Sequence, residues 1–305
     1  MISMDTRHVA IWGMIVALVL SMFAAATVGA MDLGTDRIFA LIGERVGISH
    51  METSLIERSV FWIIRAPRIL LAALIGGALG LSGAALQGIF RNPLADPGLI
   101  GVSSGAALCV VGLIVFGSML SLPQTPWLIP IAAFVGAIIA TLVVLQLATN
   151  GTRIDVATML LAGIAINALA GAFIGFATYM ADDAQLRSLT MWSLGSLGGA
   201  GWSELGVIAL FTLPGAALIL RQRRALDLLL LGEREANHLG VDVTRTRRII
   251  IACCALIVGV GVGFVGIIGF VGLVVPHLLR LTGGAAHRWV LPGSLVGGAL
   301  LLLAA

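Results

Sequence analysis

The sequence predicts an all-α polytopic membrane bundle, and three observations carry that reading. Hydrophobic residues make up 59% of the chain, charged residues 11%, and the mean hydropathy is +1.08. A soluble domain carries about a quarter of its residues charged. Apolar runs long enough to cross a bilayer, about 20 residues each, recur along the whole chain. Thirty-nine glycines stud those runs. A lipid-facing helix has no use for them, whereas a helix packed inside a bundle uses them for close backbone approach.

Taken in order, the expected spans are Val9–Gly29, Phe61–Phe90, Ser103–Leu120, Trp127–Ala148, Val156–Met180, Trp202–Leu220, Ile249–Ile268, a short Gly269–Leu281 and Trp289–Ala305, nine in all. The whole chain, 1–305, reads as a single transmembrane domain. The first run resembles a signal peptide ending at Val28-Gly29-Ala30. It is longer than the roughly 7–15 apolar residues of a signal sequence, so it is read as an uncleaved helix. The last run stops at Leu300-Leu-Leu-Leu-Ala-Ala305 with no polar flank, so a further segment is expected beyond it.

All eighteen basic residues are arginine. Without lysine the chain has neither a Schiff-base lysine nor a phosphate-loop lysine, so it does not bind ATP in that manner. With the N-terminus in the cytoplasm, alternating spans place twelve arginines inside and six outside, as the positive-inside rule requires. Cys109, Cys253 and Cys254 lie in apolar runs without partners at metal-ligand spacing and read as packed thiols. Neither a metal nor another cofactor is expected, and no nucleic acid partner.

Residues 65–105 hold the most information. Arg65-Ala-Pro-Arg68 opens a span containing Gly76, Gly77, Gly80, Ser82, Gly83 and Gly88. The span closes into Asn92-Pro93-Leu94-Ala-Asp96-Pro97-Gly98. Each proline biases its predecessor away from helix. Irregular backbone at membrane depth is tolerated only where protein or a water-filled cavity satisfies it. This turn, Asn92, Pro93 and Leu94 above all, therefore reads as a gate at the inner mouth of a pathway.

The largest cytoplasmic loop is 221–248, with seven arginines. Within it Gly232–Gly240 reads as a short helix. Glu233 and Glu235 suit its first turn, and Gly240 its stop. Ala236 and Leu239, three apart, are expected to form a small apolar face, and the loop reads either as a solvated stretch of topogenic arginines or as a docking helix for a cytoplasmic partner protein. Further on, Gly263–Arg280 is an apolar run punctuated by Gly269 and Gly272 and interrupted by Pro276, His277 and Arg280. It reads as two half-length helices with a turn between them, the kind of broken helix that lines transport pathways.

Two readings from other classes compete. Gly80-Leu-Ser82-Gly83 and Gly101-Val-Ser103-Ser-Gly105 match serine-hydrolase patterns, with His277 as a conceivable base. Both patterns arise by chance in so glycine-rich a chain. A stand-alone channel or secondary transporter would need ionisable groups within the membrane to couple to an ion gradient. Asp155, Asp182, Asp183 and Glu204 all sit at span ends.

Together these residues resemble the FecCD-type permease subunits of ABC importers for iron chelates, haem and vitamin B12. The resemblance runs from about Phe61 to Ala305, and its specific stretches are Arg65-Ala-Pro-Arg68, Gly83-Ala-Ala-Leu-Gln87, Asn92–Gly105, Leu161-Ala-Gly163 and Gly269–His277 with Arg280. It implies a non-enzymatic ten-helix permease in a bacterial plasma membrane, with a ferric siderophore as the first-choice cargo. It implies a second permease subunit, two ATP-binding cassette subunits and an extracytoplasmic binding protein. By the same resemblance Arg65 and Arg68 dock the binding protein, and Asn92 and Leu94 close the inner mouth. The helix at Gly232, Glu233, Ala236, Leu239 and Gly240 couples to the ATPase. The family's tenth helix and a third docking arginine lie beyond this sequence.

Overall fold

The computed structural model describes residues 4–29, 31–47, 53–117, 125–151, 153–199 and 201–305. Helices α1 (Met4–Thr27), α2 (Thr35–Val46) and α3 (Leu55–Ser59) come first. A π-helical stretch, Val60–Arg65, runs from α3 directly into α4 (Ala66–Phe90). The 3-10 turn Pro97–Ile100 leads into α5 (Val102–Phe116), followed by α6 (Leu128–Leu147). A two-stranded hairpin pairs Thr149 with Ile154 and Asn150 with Arg153. Then come α7 (Val156–Met180), α8 (Asp183–Leu194), α9 (Trp202–Arg221), α10 (Arg223–Leu229) and α11 (Glu233–His238). The chain closes with α12 (Val243–Val265), α13 (Val271–Gly283) and α14 (His287–Ala304).

Among the described residues seven helices are long and apolar enough to span a membrane, and α5 and α13 are shorter apolar helices. The architecture is the all-α polytopic bundle the composition predicts. The nine expected runs coincide with these nine helical segments, except that residues 118–120 of the third lie outside the described residues. The loop expected before α4 instead contains α2 and α3, and the connections around α8 and α10 are helical too. Polar caps start several elements. Ser54 and Asp182 form capping boxes with Glu57 and Gln185, and Asp155 and Asp242 cap α7 and α12.

Helix α4 is the axis. From Ile75 to Phe90 every one of its residues is buried, whereas α1 keeps nearly its whole apolar surface outward. Glycine explains how α4 can be enclosed. A Cβ on Gly76 would stand 2.3 Å from the Gly298 carbonyl oxygen, and one on Gly298 would stand 2.1 Å from that of Gly76. Helices α4 and α14 therefore meet backbone to backbone, as small residues permit in membranes.

The broken-helix expectation needs correcting. Helix α12 is full length, and Pro276 lies inside α13 rather than at the break. The chain turns at Gly266 (φ 74°) and Phe270 (φ 66°). A side chain on Gly266 would strike the Trp192 carbonyl oxygen at 2.2 Å, so position and conformation both require glycine. Proline removes one helical hydrogen bond, and α13 tolerates that loss because another donor takes its place.

Candidate functional site

The turn after α4 and the short helix α13 are far apart in sequence, yet Gln87 joins them. Its backbone carbonyl accepts from Asn92 N at 3.2 Å, which fixes the start of the turn. Its side-chain Nε2 donates to the Gly272 and Leu273 carbonyls, each at 3.3 Å. Its Oε1 accepts from Arg280, whose other terminal nitrogen donates to Ala84 O at 3.2 Å. Pro276 has no N–H, so the Gly272 carbonyl has no helical donor, and Gln87 supplies one. A Cβ on Gly83 would lie 1.9 Å from the same Gly272 oxygen, so α4 and α13 touch there.

The turn itself is built from polar side chains. Asn92 Oδ1 accepts from Leu94 N at 3.0 Å, and Asp96 Oδ1 accepts from Gly98 N at 2.8 Å. Leu94 stands at its tip, 64% exposed. Beyond it the chain dips alongside α7. Asn167 Nδ2 donates to Gly98 O at 3.0 Å, and Ser104 Oγ donates to Asn167 Oδ1 at 2.5 Å. Asn167 lies eleven residues into α7, about 16 Å along its axis at 1.5 Å per residue. The irregular backbone at that depth is thus satisfied by protein. Residues 96–97 return to Gly272, where a Cβ would meet Pro97 Cδ at 3.3 Å and Asp96 Oδ2 at 3.4 Å.

Of the residues singled out in sequence, Asn92, Pro93, Leu94, Gly272, Pro276 and Arg280 therefore belong to one assembly. His277 makes no side-chain hydrogen bond to it among the described residues, and Gly269, which has no side chain, precedes the turn into α13. Ser82 is buried in α4, and its Oγ has no hydrogen-bond partner among the described residues, so no base activates it. The sequence reading gave Gln87 no role and missed Asn167 and Ser104. A polar residue in the middle of an apolar span, as Asn167 is, was the available signal.

The docking arginines separate. Arg65 is buried, and it donates through Nη1 to Ala26 O at 2.6 Å and Thr27 O at 3.1 Å and through Nη2 to Met31 O. It ties the end of α1 to α4 and is not presented at the rim. That corrects the expectation for Arg65, because three carbonyls recruit its guanidinium inward. Arg68 is exposed, with a long 3.5 Å contact to Gly198 O. At the same end a cavity of about 650 Å³ opens beside Glu44, Arg45, Arg58 and Trp62. Arg58 pairs with Glu44, and Trp202 Nε1 donates to Trp62 O at 2.7 Å.

At the opposite end α11 also departs from expectation. Ala236 is fully buried and Leu239 is 58% exposed. The two do not form one apolar face, because Ala236 faces the core under a six-residue helix. Gly240 (φ 84°) ends that helix as expected, with Val241 N bonded to Ala236 O and Gly240 N to Asn237 O, both at 3.0 Å. Arg247 is buried and holds α11 in place, bonding Glu233 Oε1 at 2.6 Å and Ile154 O at 3.1 Å. Asp227 Oδ1 accepts from His287 N at 2.5 Å and lies 3.2 Å from His287 Nδ1, which latches α10 to α14.

The model of the FecCD transport family matches residues 14–305. The chain belongs to the FecCD transport family. This FecCD chain is 51% identical over 247 residues to the hemin transport system permease protein HmuU of Yersinia pestis, covering 80% of the chain and 73% of that protein. It is 41% identical over 268 residues to the vitamin B12 import system permease protein BtuC of Vibrio cholerae, covering 88% and 80% respectively. A solved inward-facing conformation assigned to the metal-chelate type of ABC transporter superposes with a TM-score of 0.83 at 29% identity, over 97% of this chain and 88% of that one. The FecCD chain is thus an ABC importer permease and a multi-pass membrane protein, not an enzyme. The hydrolase and lone-transporter readings fall away with that assignment.

Proposed function

We propose that this permease passes an iron-bearing chelate across the plasma membrane into the cytoplasm, and that haem is the first cargo to test. The observation that carries the choice is the 51% identity to a hemin transport permease. A ferric siderophore, the first choice from sequence, follows as the second candidate, and cobalamin as the third in view of the 41% relative. Two copies, or this chain and a paralogue, enclose the pathway, and two ATP-binding cassette subunits bind the end that carries α11. An extracytoplasmic binding protein delivers cargo at the end that carries α2, and Arg68 is the rim arginine available to meet it. The N-terminus is cytoplasmic, in keeping with the arginine bias.

Within this reading Asn92, Pro93 and Leu94 form the inner gate. A leucine on a proline-stiffened turn excludes water when two such turns meet. Gln87 links the gate to α13, so movement of one carries the other between discrete packings. The exposed part of α11, Leu239 with its charged surroundings, receives the push from the ATPase.

The test is binding of hemin, a ferric siderophore and cyanocobalamin to the cognate binding protein, followed by uptake into vesicles containing the assembled transporter. Saturable ATP-dependent hemin uptake supports haem as cargo. Uptake of a competitor alone replaces it, and uptake without ATP or binding protein overturns the importer mechanism.

A further inference from the structure

Helix α2 lies at the end of the bundle opposite α11, and the transport mechanism gives it no role. Ile38 and Leu41 of this helix are buried in a small core with Ala26, Leu33 and Phe61. Phe39, Ile42 and Val46, spaced by three and four residues, form a neighbouring stripe that points away from the fold and is exposed. The charged side carries Arg37 and Glu44, both paired with α3: Arg37 with Glu57 at 3.6 Å, and Glu44 with Arg58. One side of α2 thus packs into the core, one is charged and tied to α3, and a third, apolar, is left open among the described residues.

Two contacts set the level of this helix. Phe39 packs against Phe23 of α1, with ring centroids 5.1 Å apart. Phe23 continues the stripe of Val16, Val19 and Leu20, the outward apolar face of the span with the least of its length buried in the fold. It stands one turn before α1 ends at Thr27, about 6 Å along the axis. Helix α2 therefore folds back beside the last turn of a membrane span, and Phe39 extends that span's outward surface. The second contact is Arg45, whose guanidinium lies 5.9 Å from the centre of the Trp62 ring. Trp62 in turn accepts from Trp202 Nε1 through its backbone carbonyl at 2.7 Å. Trp62 and Trp202 stand near the starts of two apolar spans, where tryptophan marks the boundary between membrane and water.

We propose that α2 is an interfacial helix, lying along the bilayer surface at this end with Phe39, Ile42 and Val46 among phospholipid acyl chains and Arg37 and Glu44 in water. An amphipathic helix in this position sinks its apolar face about 5–10 Å into the boundary. The occupant is lipid rather than a protein because the open stripe is continuous with the outward face of α1 and level with the two tryptophans. Held there, α2 braces the end of α1, where Arg65 gathers the Ala26, Thr27 and Met31 carbonyls. The inference rests on the membrane location of the chain and is independent of the cargo and of the gate.

The test is site-directed spin labelling of the assembled transporter in vesicles of phosphatidylethanolamine and phosphatidylglycerol, with Cys109, Cys253 and Cys254 replaced by Ala. Single labels are carried by Phe39→Cys, Ile42→Cys and Val46→Cys, by Glu44→Cys on the charged side, and by Val16→Cys as the reference within a span. Power saturation compares collisions with oxygen, which dissolves in lipid, and with a nickel chelate, which stays in water. The three stripe labels are expected to shift the oxygen-to-nickel ratio several-fold toward the Val16→Cys value, and the Glu44→Cys label to keep an aqueous ratio. On the unmutated transporter, a phospholipid with a photoreactive group beside its glycerol is expected to label the peptide 35–46, a readout that requires no variant to fold. Aqueous ratios at the three stripe positions, or absence of that labelling, would overturn the proposal. Stripe labels that become immobile and closed to both reagents on adding the binding protein would make this a protein-docking surface. Dipolar broadening between labels on two permease copies would make it a subunit interface. Either result overturns the proposal equally.

Discussion

Gln87 donates its side-chain amide across 3.3 Å to the Gly272 carbonyl, the acceptor that Pro276 leaves without a helical donor. The glutamine on one helix thus completes the hydrogen bonding of another. Because the Gln87 backbone carbonyl also receives Asn92 N, a single residue holds both the turn and the short helix.

Replacing Gln87 by Leu keeps the volume and removes both roles of the side chain. The Gly272 carbonyl loses its donor and the Arg280 guanidinium keeps only the Ala84 carbonyl, and each unsatisfied buried group costs about 1–3 kcal/mol. The expected outcome is a clearly lower apparent Tm and loss of uptake. Gly112→Ala, at a position with nothing within 4 Å of a new Cβ, is expected to match wild type in the same assay.

The two arginines of Arg65-Ala-Pro-Arg68 are expected to fail differently. Arg65→Glu places an acid against three carbonyl oxygens and should abolish stable expression. Arg68→Glu should leave expression and detergent stability intact while reducing uptake, through slower engagement of the binding protein. Size-exclusion profiles and uptake rates measured together separate the two. Arg68→Glu with normal uptake would remove Arg68 from the docking surface.

A parallel split is expected on α11. Ala236→Arg forces a long cation into a fully buried position and should prevent folding. Leu239→Arg alters an exposed residue and should weaken co-purification of the ATPase without lowering Tm. If Leu239→Arg retains the ATPase and transports normally, the helix is a structural connector.

These contrasts mark how far the sequence could be read. The membrane class, the α4 packing face and the irregular turn follow from apolar run length, glycine spacing and proline, each a local property. Which way Arg65 and Ala236 face does not follow locally. Arg65 turns inward because carbonyls from the end of α1 converge on it, and Ala236 because Arg247 pins α11 to the hairpin. The carbonyls that hold Arg65 lie 34 to 39 residues away, and the hairpin carbonyl that anchors Arg247 lies 93 residues away. The Gln87 role is hidden for the same reason, since its acceptor is 185 residues away. Pro276 looked like a helix breaker because the compensating donor belongs to another helix.

Asp227 gives a pH signature. Its burial works to raise the carboxyl, and the hydrogen bonds and charge of His287 outweigh that and hold it below the ordinary carboxylate range. A carboxyl lowered in the fold stabilises above its unfolded pKa of about 3.9 and loses that contribution as pH falls through the folded value. Wild type is therefore expected to be steady above pH 5 and to lose Tm below about pH 4. Asp227→Asn is expected to start lower and to show a shallower acid decline, read by thermal unfolding across that range.

The claim that the Asn92–Leu94 turn is the inner gate, worked through Gln87 and α13, is tested most directly by crosslinking. In a transporter with Cys109, Cys253 and Cys254 replaced by Ala, Leu94→Cys is placed in both permease subunits. The account predicts that the two cysteines crosslink when the mouth is closed, and that the crosslink is lost when ATP and the loaded binding protein drive it open. It also predicts that Gln87→Leu uncouples crosslinking from ATP. Crosslinking that never responds to ATP or to the binding protein would contradict the account and make this turn fixed scaffolding.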